Sequence, residues 1–145
     1  MFEELSYITM SGEKYPIRCD LLVLEKIQEE FGSINDFEEG LITWEAELDE
    51  NGEEILDEDE KPKVKGKFPD MKTVNTALYF MVNEGEAILA EREGRKAVER
   101  TREELVRKAD TAPNTLANAL HNEFYRCFHI KNQKTTENQE KETEK

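Results

Sequence analysis

The sequence has few cysteines and no long apolar run. Its two cysteines, Cys19 and Cys127, are too few for a disulfide scaffold in a chain of 145 residues, and each has apolar neighbours. We therefore expect two buried free thiols. No stretch approaches the roughly 20 apolar residues of a membrane-spanning helix. The first ten residues lack the basic region and long apolar run of a signal peptide, so we expect a soluble, cytoplasmic protein.

Basic side chains are also in the minority. There are 34 acidic and 20 basic residues, which gives a formal net charge of -14. Such a charge repels the phosphates of nucleic acids and the surfaces of anionic membranes, so we expect neither as a partner. Solubility alone would also account for this acidity.

The arrangement of apolar residues predicts an α+β fold. Alternation over residues 5–19 indicates an N-terminal antiparallel β-hairpin, and helical periodicity follows it. Each helical pattern begins at a residue that suits a helix N-terminus, and we expect four to five helices. The predicted caps are Asp20, Ser33, Asp70 and Thr101, and Pro113 suits the first turn of a final helix.

Two of the predicted helices carry more specific signals. The helix after Asp20 should bury Leu21, Leu24, Ile27 and Phe31, which recur at helical spacing. The longest helix contains Gly85, which costs about 1 kcal/mol relative to alanine in a helix interior. A close helix crossing or a bend at this glycine would explain its presence.

Residues 42–68 predict a second hairpin, which is acidic and projects from the core. Trp44 and its neighbours alternate between apolar and polar, and Asn51-Gly52 is a strong hairpin-turn signal. Residues 45–60 include ten acidic side chains and no basic one. We expect one domain over residues 1–130, with residues 42–68 as a projecting insertion. Residues 131–145 contain no apolar side chain, which predicts a disordered polar tail.

Neither of two possible metal sites has the expected pattern. With Gly52 as the turn glycine of a calcium loop, the ligands would be Glu47, Asp49, Asn51 and Glu58, but the first should be Asp and a helix should follow. His121, Cys127 and His129 lack the spacing of three or four residues that helical metal ligands prefer. We therefore expect no metal and no cofactor.

Catalytic motifs are missing as well. The chain has no nucleophile elbow, no phosphate-binding glycine loop and no His-Glu-x-x-His pattern. The basic cluster at residues 92–100 alternates with glutamates, which is typical of an exposed helix face with ion pairs. We expect no catalytic residue and no enzymatic activity.

Three segments together resemble a known family. They are Gly12-Glu13-Lys14-Tyr15-Pro16-Ile17-Arg18, the helix that closes on Phe31-Gly32-Ser33-Ile34, and the helical stretch over residues 77–85. This order is similar to that of the tail assembly chaperones of long-tailed (siphovirus-type) phages and prophages. The likeness extends over about residues 5–130, while the acidic segment at residues 45–60 departs from the shorter members.

The resemblance implies a non-enzymatic assembly factor in the cytoplasm of a bacterial host. Such a chaperone binds the tape-measure protein and keeps it soluble until the tail tube polymerises around it. The tail-tube protein is a further partner that the resemblance suggests, and self-association into a homo-oligomer is left open. Members of the family are often made in two lengths by a ribosomal frameshift.

Three aromatic residues are the candidates for a partner-facing apolar patch. Phe80 lies off the main stripe of its helix, Tyr79 flanks it, and Trp44 lies on a strand beside the acidic segment. Completion of the core is the alternative role for each. Two other functions also fit the sequence: a structural phage tail or connector component, and an acidic DNA-mimic inhibitor.

Overall fold

The computed structural model describes residues 4–127, so the predicted tail at residues 131–145 lies outside the described residues. Within this range the chain forms two antiparallel β-hairpins and five helices, which confirms the α+β prediction. None of these helices has the length and apolarity that crossing a bilayer requires. The elements are β1 (Ser6–Met10), β2 (Glu13–Ile17), α1 (Leu21–Phe31), α2 (Ile34–Leu41), β3 (Trp44–Ala46), β4 (Val64–Gly66), α3 (Met71–Glu93), α4 (Arg102–Lys108) and α5 (Pro113–Tyr125).

The N-terminal hairpin covers one side of α3. Strands β1 and β2 pair from Ser6 opposite Ile17 to Met10 opposite Glu13. Apolar side chains of this hairpin, among them Met10, Tyr15 and Ile17, are almost fully buried. The predicted hairpin is therefore confirmed, and it supplies one layer of the core.

Each predicted cap begins a helix. In α1, α2, α3 and α4 the side chain of the cap accepts a hydrogen bond from the backbone N–H three residues later, which satisfies a donor that the helix leaves free. Pro113 is the first residue of α5. The four N···O distances, for Asp20, Ser33, Asp70 and Thr101 in that order, are 3.1, 3.0, 3.0 and 3.1 Å.

Helix α3 is the centre of the molecule, and Gly85 is where β2 crosses it. A Cβ atom at Gly85 would collide with the carbonyl group of Pro16. Just beyond, the Arg18 N–H donates to the Met81 carbonyl at 3.0 Å. The close approach at this glycine is present, but the crossing element is strand β2 and not the helix that the sequence predicted.

Two predictions about burial are wrong. Leu21 is 81% exposed, because α1 faces the core through Val23 and Ile27, and its first turn directs Leu21 to solvent. Both cysteines are free thiols, but Cys127, two residues beyond the end of α5, is only half-buried.

The acidic segment has a more complex structure than a simple hairpin. Its base is the pair β3–β4, in which Trp44 lies opposite Gly66 and Ala46 opposite Val64. The Asn51-Gly52 turn closes only a smaller loop, where Leu48 bridges to Glu54. The hairpin prediction is confirmed, and a second small loop lies between the first one and β4.

Candidate functional site

An open groove of about 700 Å³ runs along α3. One side is formed by α3 and by Lys26 of α1, and the other side by residues 97–103. The residues that α3 contributes are spaced so that they share a face next to its buried stripe. They are Tyr79, Phe80, Asn83, Glu84 and Ala87.

The floor of the groove is aromatic. The ring centroids of Tyr79 and Phe80 lie 5.7 Å apart in a tilted arrangement, and both side chains are half-buried against the core. The Lys26 ammonium lies 5.9 Å from the centroid of the Phe80 ring, within the range of a cation–π interaction. This floor has apolar area for a partner and a cation at its margin.

The structure brings two of the three predicted site residues together. Tyr79 and Phe80 line the groove side by side, whereas Trp44 lies on β3, outside the groove, and is 59% exposed. The roles of all three stay predictions. Their positions indicate two separate surfaces rather than one patch.

The far wall of the groove is fixed by Glu86. Its carboxylate accepts two hydrogen bonds from the Arg95 guanidinium, at 2.7 and 3.0 Å, and one from the Val98 N–H at 2.8 Å. The hydrogen bond from Arg95 is the largest cause that lowers the pKa of Glu86, although burial opposes it. Because Glu86 is only 5% exposed, these bonds tie residues 95–98 firmly to α3.

Asn83 holds the same wall one turn earlier. Its side-chain oxygen accepts from the Arg100 N–H at 3.1 Å, and its amide nitrogen donates to the Arg100 carbonyl at 3.0 Å. The hydrogen bonds of Asn83 and Glu86 therefore fix the position of the far wall relative to α3.

Sequence reasoning missed both of these wall residues. The basic cluster at residues 92–100 was expected to be an exposed face of ion pairs, but Arg95 pairs with a buried carboxylate. A signal was present, since Glu86 occupies a position of helical spacing between the apolar residues Val82 and Ala90, both buried. An acid in a buried stripe requires a partner, and the next basic cluster supplies it.

One carboxylate in the groove is poised to titrate. Burial is the main cause that raises the pKa of Glu84 to about 7, and a hydrogen bond with Asp20 raises it further. Asp20 is itself the cap of α1. The charge of the groove therefore changes near neutral pH.

A second polar cluster lies at the end of α5. Buried Glu123 accepts hydrogen bonds from the Cys19 N–H at 2.7 Å and from the Arg126 side chain at 2.8 and 2.7 Å. A hydrogen bond with Cys19 lowers the pKa of the Cys127 thiol to about 7. These contacts satisfy the buried charge and fasten α5 to the end of β2, which is a structural role.

Residues of the two possible metal sites make other contacts in the fold. The Asp49 carboxylate accepts from the N–H groups of Asn51 and Glu53, as a turn cap does. The imidazole of His121 lies 3.0 Å from Glu38 of α2, and His129 is outside the described residues. Within residues 4–127 no group of three or more His, Cys, Asp or Glu side chains could hold a metal ion.

A scan against protein-family models, a search of the curated proteins and a search of the solved structures found no match to this chain. A function must therefore be inferred from the groove and its chemistry, together with the family resemblance of the three segments named above.

Proposed function

We propose that this protein is a tail assembly chaperone of a long-tailed phage or prophage. It works without catalysis in the cytoplasm of the bacterial host, where it binds the tape-measure protein and keeps it soluble during tail assembly. The observation that carries the proposal is the groove on α3, which combines an aromatic floor with charges of both signs at its margins.

The groove suits a helical partner. An amphipathic helix binds by laying its apolar face into an apolar groove, while its polar side chains meet the rim. Here Tyr79 and Phe80 supply the floor, and the basic side chains of Lys26 and Arg100 stand at the margins. A tape-measure protein is long and helical, so it offers many such segments.

The net charge of -14 supports a holding role in a different way. A chaperone that covers an aggregation-prone helix must keep the complex in solution, and a high net charge opposes association of the complexes with one another. The groove supplies the binding and the remaining surface supplies the solubility.

The test is co-expression with the tape-measure protein from the same genome, followed by a solubility assay and a pull-down. We expect the tape-measure protein to become soluble and to co-purify. If it stays insoluble and unbound while this protein is folded, the chaperone proposal is wrong.

A groove variant and a matched control make this test specific. Ala87 is exposed on the groove face of α3, so Ala87→Arg fills the groove without entering the core. Asn122→Arg places the same side chain on an exposed position of α5, outside the groove. Only Ala87→Arg should abolish co-purification, and equal behaviour of the two variants would exclude the groove.

Purified phage particles separate the chaperone from a structural tail or connector component. Mass spectrometry of finished particles should find the tape-measure protein and not this chain. Stoichiometric incorporation of this chain would favour the structural alternative.

A further inference from the structure

The acidic segment is built around a junction of three β arms. Its centre is a closed triangle of backbone hydrogen bonds between three residues that are eight apart in the sequence. Glu47 donates to the Lys63 carbonyl at 2.8 Å, Lys63 to the Ile55 carbonyl at 2.7 Å, and Ile55 to the Glu47 carbonyl at 3.0 Å. The segment therefore has a fixed backbone core.

The two outer arms end in turns of the same design. In the first, the Asp49 carboxylate accepts from the N–H groups two and four residues later, and in the second the Asp57 carboxylate does the same. The positive φ angle of each turn falls at Gly52 in one and at Glu60 in the other, again eight residues apart. This repetition indicates a locally stabilised unit.

One side of the junction is mainly apolar. Side chains alternate along a strand, and paired residues of antiparallel strands point to the same side. The pairs Ala46–Val64, Leu48–Glu54 and Leu56–Pro62 therefore all face one side, and the triangle residues face the other. Trp44, two residues before Ala46, joins the first side.

We call this side the junction face and define it by its four large apolar residues. All four are more than half exposed: Trp44 59%, Leu48 54%, Leu56 54% and Val64 57%. Exposed apolar groups concentrated on one small structured unit mark an interaction surface rather than a scattered set of surface leucines.

The charge around the junction face restricts what can cover it. Residues 45–67, which span the three β arms around the face, carry ten acidic side chains against four lysines, so the surroundings of the face stay acidic. A second copy of this chain has a charge of -14 and is repelled, as is nucleic acid. Residues 131–145 contain no apolar side chain, so they offer nothing to bury there.

We propose that the junction face binds a basic amphipathic segment of a partner protein. The apolar side of such a segment covers Trp44, Leu48, Leu56 and Val64, and its lysines or arginines face the acidic turns. This surface is separate from the groove on α3. The inference goes beyond the proposed function and does not depend on the tape-measure protein being the partner of the groove.

Trp44 is the only tryptophan of the chain, so it reports on the face directly. The probe is a helical amphipathic peptide of leucine and lysine, titrated at low salt while tryptophan emission is followed. We expect saturable binding with a shift of the emission to shorter wavelength. A matching leucine–glutamate peptide and a lysine–serine peptide should each bind at least about tenfold more weakly.

The variant Leu48→Ser/Leu56→Ser/Val64→Ser removes three of the four apolar groups without touching the buried core. It should weaken binding of the leucine–lysine peptide by about tenfold or more. The control Leu21→Ser/Leu22→Ser changes two exposed leucines of α1 and should leave affinity unchanged. Circular dichroism should give the same spectrum for both variants and the wild type.

Three outcomes would overturn the proposal: no binding of the leucine–lysine peptide, equal affinity for the triple variant, or equal affinity for the lysine–serine peptide. The last would mean that acidity alone attracts the probe. Followed by the emission of Trp44, which lies outside the groove, the variant Ala87→Arg should give the same titration as the wild type, so failure at the junction face and failure at the groove are distinguishable.

Discussion

The groove on α3 and the junction face are held in place in different ways. The groove depends on long-range bonds, because Glu86 and Asn83 of α3 hold a wall that lies nine to seventeen residues further along the chain. The junction face depends on its own backbone triangle and on two aspartate-capped turns.

This difference has consequences for stability. A change at the groove wall affects the core helix, so its cost should appear in global unfolding. A change in the junction should affect mainly the local opening of residues 45–65, because few of its side chains are buried. The two surfaces can therefore be altered separately.

Two glycines give the largest expected contrast. Gly85→Ala puts a methyl group against the Pro16 carbonyl. Because the atoms that it meets are backbone atoms, which cannot rotate away, β2 must move away from α3. We expect a loss of about 3 kcal/mol in the free energy of unfolding, measured by urea denaturation. Gly66→Ala in β4, where a Cβ meets nothing within 4 Å, is the control and should change stability little.

The groove wall should show the next largest effect. Glu86→Gln weakens the bonds to Arg95 and Val98, and we expect a loss of about 2 kcal/mol in urea denaturation. Since the folded pKa of Glu86 is lowered, its contribution is present above the ordinary pKa and declines as the pH falls through the folded value.

Amide hydrogen exchange shows where in the structure Glu86→Gln acts. The Val98 N–H should lose protection in Glu86→Gln, while Glu91→Gln, at an exposed position of the same helix, should keep it. Unchanged protection at Val98 would mean that Glu86 does not hold the wall.

Glu84 should give the groove a pH dependence of the opposite sign. Its folded pKa is raised from 4.5 to about 7, so the folded chain binds more protons between these values and stability falls as the pH rises through this window. Glu84→Gln should remove that decline and be more stable at pH 8 by on the order of 1 kcal/mol, after allowance for solvent screening. Urea denaturation from pH 4 to 8 measures this, with Glu99→Gln as an exposed control from the same groove.

The smallest effect is expected in the junction. Glu60 has a φ of 63°, at the position where the first turn has Gly52 with a φ of 80°. Glu60→Gly should stabilise the second turn by about 0.5 kcal/mol, because glycine adopts this angle without a steric penalty. Slower exchange of the Lys61 N–H would show it, while global stability should hardly change. A faster exchange would contradict the account of the turn.

Local signals in the sequence predicted most of the fold. The caps at Asp20 and Ser33 satisfy neighbouring backbone groups, so a short window contains all the information. The junction could not be predicted in this way, since its triangle joins three residues across sixteen positions. Leu21 was misplaced because helical spacing alone does not say which edge of an apolar stripe meets the core.

The candidate site was predicted only in part. Tyr79 and Phe80 were chosen because they lie beside the main stripe of α3, and both line the groove, although their role stays a prediction. Trp44 belongs to a different surface, and Glu86 was missed because its partner Arg95 looked like part of an exposed cluster. The location of Trp44 and the pairing of Glu86 with Arg95 both depend on contacts between residues distant in the sequence. The periodicity of apolar residues contains no information about such contacts.

Hydrogen–deuterium exchange of this protein, alone and mixed with the tape-measure protein, shows whether the groove on α3 is the binding surface. We expect new protection along the groove, at residues 79–87 and 97–103, and loss of that protection in Ala87→Arg but not in Asn122→Arg. A stable complex that leaves the exchange of both stretches unchanged would contradict this role of the groove.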